Sequence, residues 1–301
     1  MKSVLIRLRS YAKVNLGLHI LGRRTDGYHE IRTVFQAIDL HDTLEICVKD
    51  GCRLEFESNI IELSKSDNLV VRAIQAVSRY TGVRSNFAVR LEKRIPMAAG
   101  LGGGSSNAAA TVMGLDQLLN LKMSKQDWFK IGGQLGADVP FFFVGGRAIG
   151  LGRGSEVYPL QDAVPCYTLI VVPSHPMPTA EAFRRLRLTS LVNKSKIPIF
   201  CPAVLESLES GDRLENQFES VVFRWQPELK HLKEKLLEAG AKWAGLTGSG
   251  SALVGLFGSK RVLSRAQLAL QGEDVRLIET RTMTREQYKN SLVECLHRAT
   301  R

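Results

Sequence analysis

The sequence predicts an α+β protein of two units, and three observations carry that expectation. Strand-like alternation and helical periodicity follow one another in both halves of the chain. The 301 residues exceed what one domain usually holds. A glycine-rich stretch runs from Ala148 to Leu160, and Pro173, Pro176 and Pro178 punctuate the chain soon after it. The division is therefore placed near residue 160, giving an N-terminal unit of residues 1–160 and a C-terminal unit of residues 161–301.

The elements follow in order. The first 60 residues read as strands: Ile6 to Leu21, then, after the turn-rich Gly22 to Tyr28, the alternating Leu44 to Val48 and Leu54 to Phe56. Leu69, Val70, Ala73, Ile74 and Val77 share one helical face, with Ser66 as expected cap and Gly82 as stop. Phe87 to Leu91 returns to strand. Ser106 to Asn120 is read as a helix rich in small and apolar residues, and Ser124 with Asp127 makes a capping box for another running toward Leu135. Beyond the division, strands are expected at Tyr167–Val172, Ala252–Phe257 and Val275–Thr280. Helices are expected at Glu228–Ala239, stopped by Gly240, and at Ser259–Leu270.

Composition narrows the class. Apolar residues make up 44% and charged residues 24%, which argues against disorder or a disulfide-built miniprotein. No run reaches the roughly 18 apolar residues of a membrane span, and Met1 to Arg9 does not read as a signal peptide, so no membrane association and a cytoplasmic location are expected. Five cysteines without a CxxC pair point to reduced, mostly buried thiols rather than disulfides or a zinc site. Lys and Arg exceed Asp and Glu by 11, a positive field that attracts phosphates of any kind. The basic residues are scattered and no nucleic-acid motif is present, so no nucleic-acid partner is expected; a basic RNA-binding protein is the rival from another class.

The most informative segment runs from Pro96 through Met97, Ala98, Ala99, Gly100, Leu101, Gly102, Gly103, Gly104, Ser105 and Ser106, between a strand and a helix. Four glycines in five positions let the backbone approach a ligand closely, and the helix start turns its unpaired amides and positive dipole end toward it. Such a loop suits phosphates. It is not a Walker A loop, because no Gly-Lys dipeptide occurs in the chain, nor a dinucleotide fingerprint, because the preceding strands read as antiparallel.

Two further pieces stand in a telling order. Ala12-Lys13-Val14-Asn15-Leu16 lies near the start, and Thr247-Gly248-Ser249-Gly250-Ser251 lies near the end. With the glycine loop between them, the chain resembles the GHMP kinase superfamily. Gly22-Arg23-Arg24-Thr25-Asp26-Gly27-Tyr28-His29, Ser66-Asp67-Asn68-Leu69-Val70 and Leu135 to Phe142 extend the likeness across nearly the whole chain, toward a branch of isoprenoid precursor synthesis that takes a cytidyl diphosphate substrate. One departure is Tyr11, where the family often has proline.

The resemblance implies the GHMP kinase fold, with an N-terminal domain like domain 2 of ribosomal protein S5 and a ferredoxin-like C-terminal domain. It implies ATP and Mg²⁺ as cofactors and a small-molecule alcohol as acceptor, with homoserine or mevalonate as the acceptor of rival relatives. By the same resemblance Asp138 is the general base and Lys13 its electrostatic partner. Asn68, Leu69, Lys93 and residues 96–106 bind the nucleotide, while Asn15, Tyr28, His29, Asp138, Thr179 and Phe183 bind the substrate. Ser105 or Ser106 is offered as a hydroxyl contact for magnesium, and no motif identifies an acidic metal ligand.

Overall fold

The computed structural model describes residues 4–49, 54–64, 68–175, 179–186 and 214–298. Two long strands, β1 (Val4–Arg23) and β2 (His29–Lys49), form an antiparallel hairpin around the turn at residues 24–28. β2 is thus far longer than the sequence segment 44–48, because its first half alternates too little to read as strand. β3 (Glu55–Ser58), the single turn α1 (Ile61–Ser64), α2 (Leu69–Thr81) and β4 (Asn86–Glu92) follow. β4 pairs antiparallel with β2 and parallel with β3. Ser66 lies outside the described residues; the side chain of Asn68 caps α2, accepting from the Val70 and Val71 amides, and Gly82 ends the helix at a φ of 74°.

α3 (Gly103–Leu119) starts three residues earlier than the sequence suggested, inside the glycine run. Glycine is a poor helix former, so propensity places the start too late, whereas close packing on β1 decides it. A Cβ at Gly114 would come within 2.5 Å of the Leu8 side-chain tip, so glycine lets the helix lie close on that strand without displacing the leucine. α4 (Lys125–Leu135) carries the expected Ser124–Asp127 capping box, and α5 (Val139–Val144) is a short buried helix behind it. The hairpin β5 (Arg147–Leu151) and β6 (Glu156–Pro159) adds to β2.

The chain then builds a second sheet from β7 (Tyr167–Pro173), β8 (Trp243–Leu246), β9 (Leu253–Phe257) and β10 (Val275–Arg281). Its order is β10-β7-β9-β8, all antiparallel, the fourth-first-third-second arrangement of a ferredoxin-like domain. α6 (Thr179–Arg185), α7 (Glu219–Trp225), α8 (Pro227–Glu238) and α9 (Lys260–Ala269) accompany it. After β10 the chain returns: α10 (Arg285–Ser291) buries Tyr288 in the first core, and β11 (Val293–Arg298) pairs antiparallel with the first residues of β1. Burial holds the Tyr288 hydroxyl protonated well past its ordinary range, and it donates to the Phe142 carbonyl at 2.7 Å.

One core lies between the first sheet and α2–α5, and another between the second sheet and its helices. A third joins the two sheets through Ala12, Val14, Leu16, Val34, Ile38, Ile170, Val254 and Leu256. Strand alternation then sends Lys13 and Asn15 to the opposite face of β1, toward the glycine loop. A bulge between Tyr11 and Ala12 re-aims the strand just before them. Among the cysteines, Cys47, Cys166 and Cys295 are free and half-buried, less buried than the composition suggested, while Cys52 and Cys201 lie outside the described residues. No described helix is long and apolar enough to cross a membrane.

Candidate active site

A cleft of about 950 Å³ opens between the two sheets, lined by β1, the 24–28 turn, the glycine loop, the start of α3, Asp138 and residues of the second unit. At its centre the Lys13 ammonium donates to Asn15 Oδ1 at 2.7 Å and to the Gly100 carbonyl at 3.0 Å, and lies 3.3 Å from Asp138 Oδ2. Lys13 is buried, whereas a third of the Asp138 side chain remains exposed to the cleft. Asp138 stands at the N-cap position of α5 yet makes no capping bond. Its carboxylate is therefore left free for Lys13 and for a ligand.

The two glycine loops touch each other. The Thr247 hydroxyl donates to the Gly100 carbonyl at 3.2 Å and accepts from the Asn15 amide at 3.1 Å. Gly100 has a φ of +76°, and a Cβ there would lie 2.2 Å from the Thr247 carbonyl, so the close approach demands glycine. Asn216, also buried, donates to the Leu246 and Gly248 carbonyls and holds the second loop.

Behind the first loop lies a buried polar knot. Asp42 accepts from the Arg94 and Ile95 amides through one oxygen and, through the other, from Asn107 and from Lys93, with which it forms an ion pair. Asn107 also donates to Ser10, and Ser10 donates to Ser106 at 2.9 Å. Ser106 is thus turned into this buried network, whereas Ser105 lines the cleft. Gly104 faces open space, with only Leu69 3.4 Å from where a Cβ would sit, while a Cβ at Gly103 would press on Ile95 and Lys93 at 3.0 Å. Asn68, Leu69 and Lys93 line the same end as residues 96–105.

At the other end, the Asp26 side chain accepts from the Tyr28 amide and fixes the turn that presents Tyr28, which is 52% exposed. His29 and Phe183 lie face to face, 4.6 Å apart and 19° from parallel, and Phe183 meets Phe218 edge-on. Phe183 thus stacks on His29 rather than on Tyr28. Burial foremost, and then Arg23, hold the His29 imidazole below its usual range, so it is neutral at pH 7 with one donor and one acceptor nitrogen. Thr179 is the first residue of α6.

Sequence reasoning missed Asp42, Asn107, Thr247 and Asn216. A signal existed for Asp42, which shares the inward phase of β2 with Leu44 and Ile46, so a carboxylate there must be buried and paired. Thr247 was quoted within its motif but given no role, because its partners are 232 and 147 residues away.

A buried lysine held against a carboxylate, beside a glycine loop that opens a helix, is the arrangement that the resemblance to the GHMP kinases implies. Comparison with known proteins agrees: the GHMP kinases N terminal domain family matches residues 68–146 and the GHMP kinases C terminal family matches residues 197–275. The 4-diphosphocytidyl-2-C-methyl-D-erythritol kinase of Solibacter usitatus is 43% identical over 89% of this chain and 85% of its own. A crystal structure of 4-(cytidine 5'-diphospho)-2C-methyl-D-erythritol kinase superposes with a TM-score of 0.78 at 33% identity, over 92% of this chain and 98% of that one. The mevalonate kinase of Methanococcus jannaschii shares the fold alone, with a TM-score of 0.70 at 18% identity over 93% of this chain and 98% of its own. The chain belongs to the GHMP kinases and, within them, to the 4-diphosphocytidyl-2-C-methyl-D-erythritol kinase family.

Proposed function

We propose that this protein transfers the γ-phosphoryl group of ATP to the 2-hydroxyl of 4-diphosphocytidyl-2-C-methyl-D-erythritol, a step of non-mevalonate isoprenoid precursor synthesis. The observation that carries the reading is the Lys13–Asp138 pair, 3.3 Å apart at the centre of a cleft with a glycine loop at one end and an aromatic turn at the other. Asp138 takes the hydroxyl proton onto a carboxylate oxygen as the oxygen attacks phosphorus. Lys13, fixed by Asn15 and Gly100, orients Asp138 and stabilises negative charge developing on the transferred group.

The cradle fits a triphosphate, because its wall at Gly104 has no side chain and leads straight to the first-turn amides of α3. When bound, Mg²⁺ supplies neutralisation of triphosphate charge. No cluster of three or more His, Cys, Asp or Glu suited to a metal occurs among the described residues; the Ser105 hydroxyl, which lines the cleft, would offer the ion an oxygen beside those of the phosphates. Gly104→Val is expected to weaken a non-hydrolysable ATP analogue by at least about tenfold, the worth of one charge-assisted hydrogen bond, with an unchanged melting temperature. Calorimetry beside a thermal melt reads both. Unchanged affinity would refute the cradle.

At the far end, Tyr28 offers a ring face to the cytosine, with Phe183 and His29 walling the slot and His29 hydrogen-bonding the base edge. Tyr28→Ala is expected to weaken the cytidyl substrate by about 1 to 3 kcal/mol, the range for a base stacked on an aromatic side chain, with ATP affinity nearly unchanged. The uridine analogue is expected to be a poor substrate, because its carbonyl replaces the amino edge and leaves a buried polar group unpaired. Phosphate transfer from ATP to the cytidyl compound, run beside the uridine analogue, mevalonate and homoserine, tests the reading. Preference for either of the last two would overturn it.

A further inference from the structure

Three cationic side chains line the cleft among the described residues: Lys13, Lys93 and Arg153. Lys13 faces Asp138, and Lys93 is paired with the fully buried Asp42. Arg153, by contrast, has no carboxylate within ion-pair distance among the described residues. Its Nη2 donates to the Gly133 carbonyl at 2.6 Å and its Nε to Ser155 Oγ at 3.4 Å, which spends two of its five N–H donors. The remaining fork is half-buried on the cleft wall, at the tip of the β5–β6 hairpin.

The place of that tip matters more than its charge. The Arg153 guanidinium lies 5.2 Å from the centre of the Tyr28 ring. The next residue, Gly154, has its Cβ direction 3.9 Å from Asp138 Oδ1. Arg153 therefore spans the interval between the aromatic turn and the reacting centre. A substrate with its base on Tyr28 and its hydroxyl at Asp138 must lay its diphosphate across that interval, with one negative charge on each phosphate.

We propose that Arg153 is a substrate-contacting specificity residue whose guanidinium holds the diphosphate of the cytidyl substrate. The assignment rests on the function proposed above. A guanidinium suits the task because its planar fork matches two phosphate oxygens at once, and the Gly133 bond anchors it in advance. It also separates acceptors within the superfamily: homoserine and mevalonate carry no diphosphate for it to hold.

The test compares cytidine 5'-diphosphate with cytidine by calorimetry, on the wild-type protein, Arg153→Gln and Arg153→Lys, with a thermal melt of each. The wild-type protein is expected to bind the diphosphate more tightly than the nucleoside. Arg153→Gln should shrink that ratio by about 10- to 100-fold, the loss of one to two charge-assisted contacts, with cytidine affinity held. Arg153→Lys should fall between, keeping the charge and losing the fork. If Arg153 served only to prop the Tyr28 ring, cytidine would weaken as much as the diphosphate and the ratio would stay constant, overturning the assignment. A lowered melting temperature with an unchanged ratio would overturn it too. Wild-type protein that bound neither compound would remove the cytidyl site itself and this assignment with it.

Discussion

Asparagine in place of Asp138 is expected to lower turnover by about 10² to 10⁴-fold, the usual contribution of a positioned general base, while ATP binding persists. The side chain is well suited to so clean a test. It makes no capping bond to α5, and among the described residues its one charged contact is with Lys13, so the amide fits the same space without unravelling the helix. Single-turnover measurement of phosphate transfer, beside calorimetry with an ATP analogue, separates the chemical step from binding. Turnover near that of the wild type would end the assignment of Asp138 as base.

Lys13→Met is expected to cut turnover by about 10²-fold, the scale of a lost electrostatic stabiliser. Here the structure adds a second effect. The ammonium is buried and donates to both Asn15 Oδ1 and the Gly100 carbonyl, so its removal leaves those acceptors one partner short and loosens the start of the glycine loop. ATP-analogue affinity should therefore fall along with turnover, unlike in Asp138→Asn. Because the two side chains act as one unit, the double variant should be little worse than the slower single one. A loss confined to the KM for the alcohol would mean that Lys13 only binds substrate.

How far the sequence carried depends on the range of each interaction. Local signals sufficed for α2, stopped by Gly82, and for α4, opened by its Ser124 box, because caps and turns are written within a few residues. The strand from Ile6 to Leu21 was legible as an apolar run, and its pleat is what puts Lys13 and Asn15 on one face, since neighbouring side chains on a strand diverge. The start of α3 was set too late, because glycine reads as loop wherever packing does not speak for it. The Asp42–Lys93 pair, the Thr247 contact with Gly100 and the stacking of Phe183 on His29 join residues far apart in the chain. No window of sequence contains both partners, so only the assembled fold reveals them. The Lys13–Asp138 partnership, equally long in range, was legible solely through resemblance.

The return of the last strand to the first sheet bears on how the molecule is made. During synthesis Val4 to Leu8 emerge long before their partners, Val293 to Arg298. The edge of β1 therefore stays unpaired while the chain between them is translated, in the state most open to pairing with a neighbouring polypeptide. The charges of Arg7 and Arg9 along that edge discourage such pairing until Glu45 and Glu294 receive them.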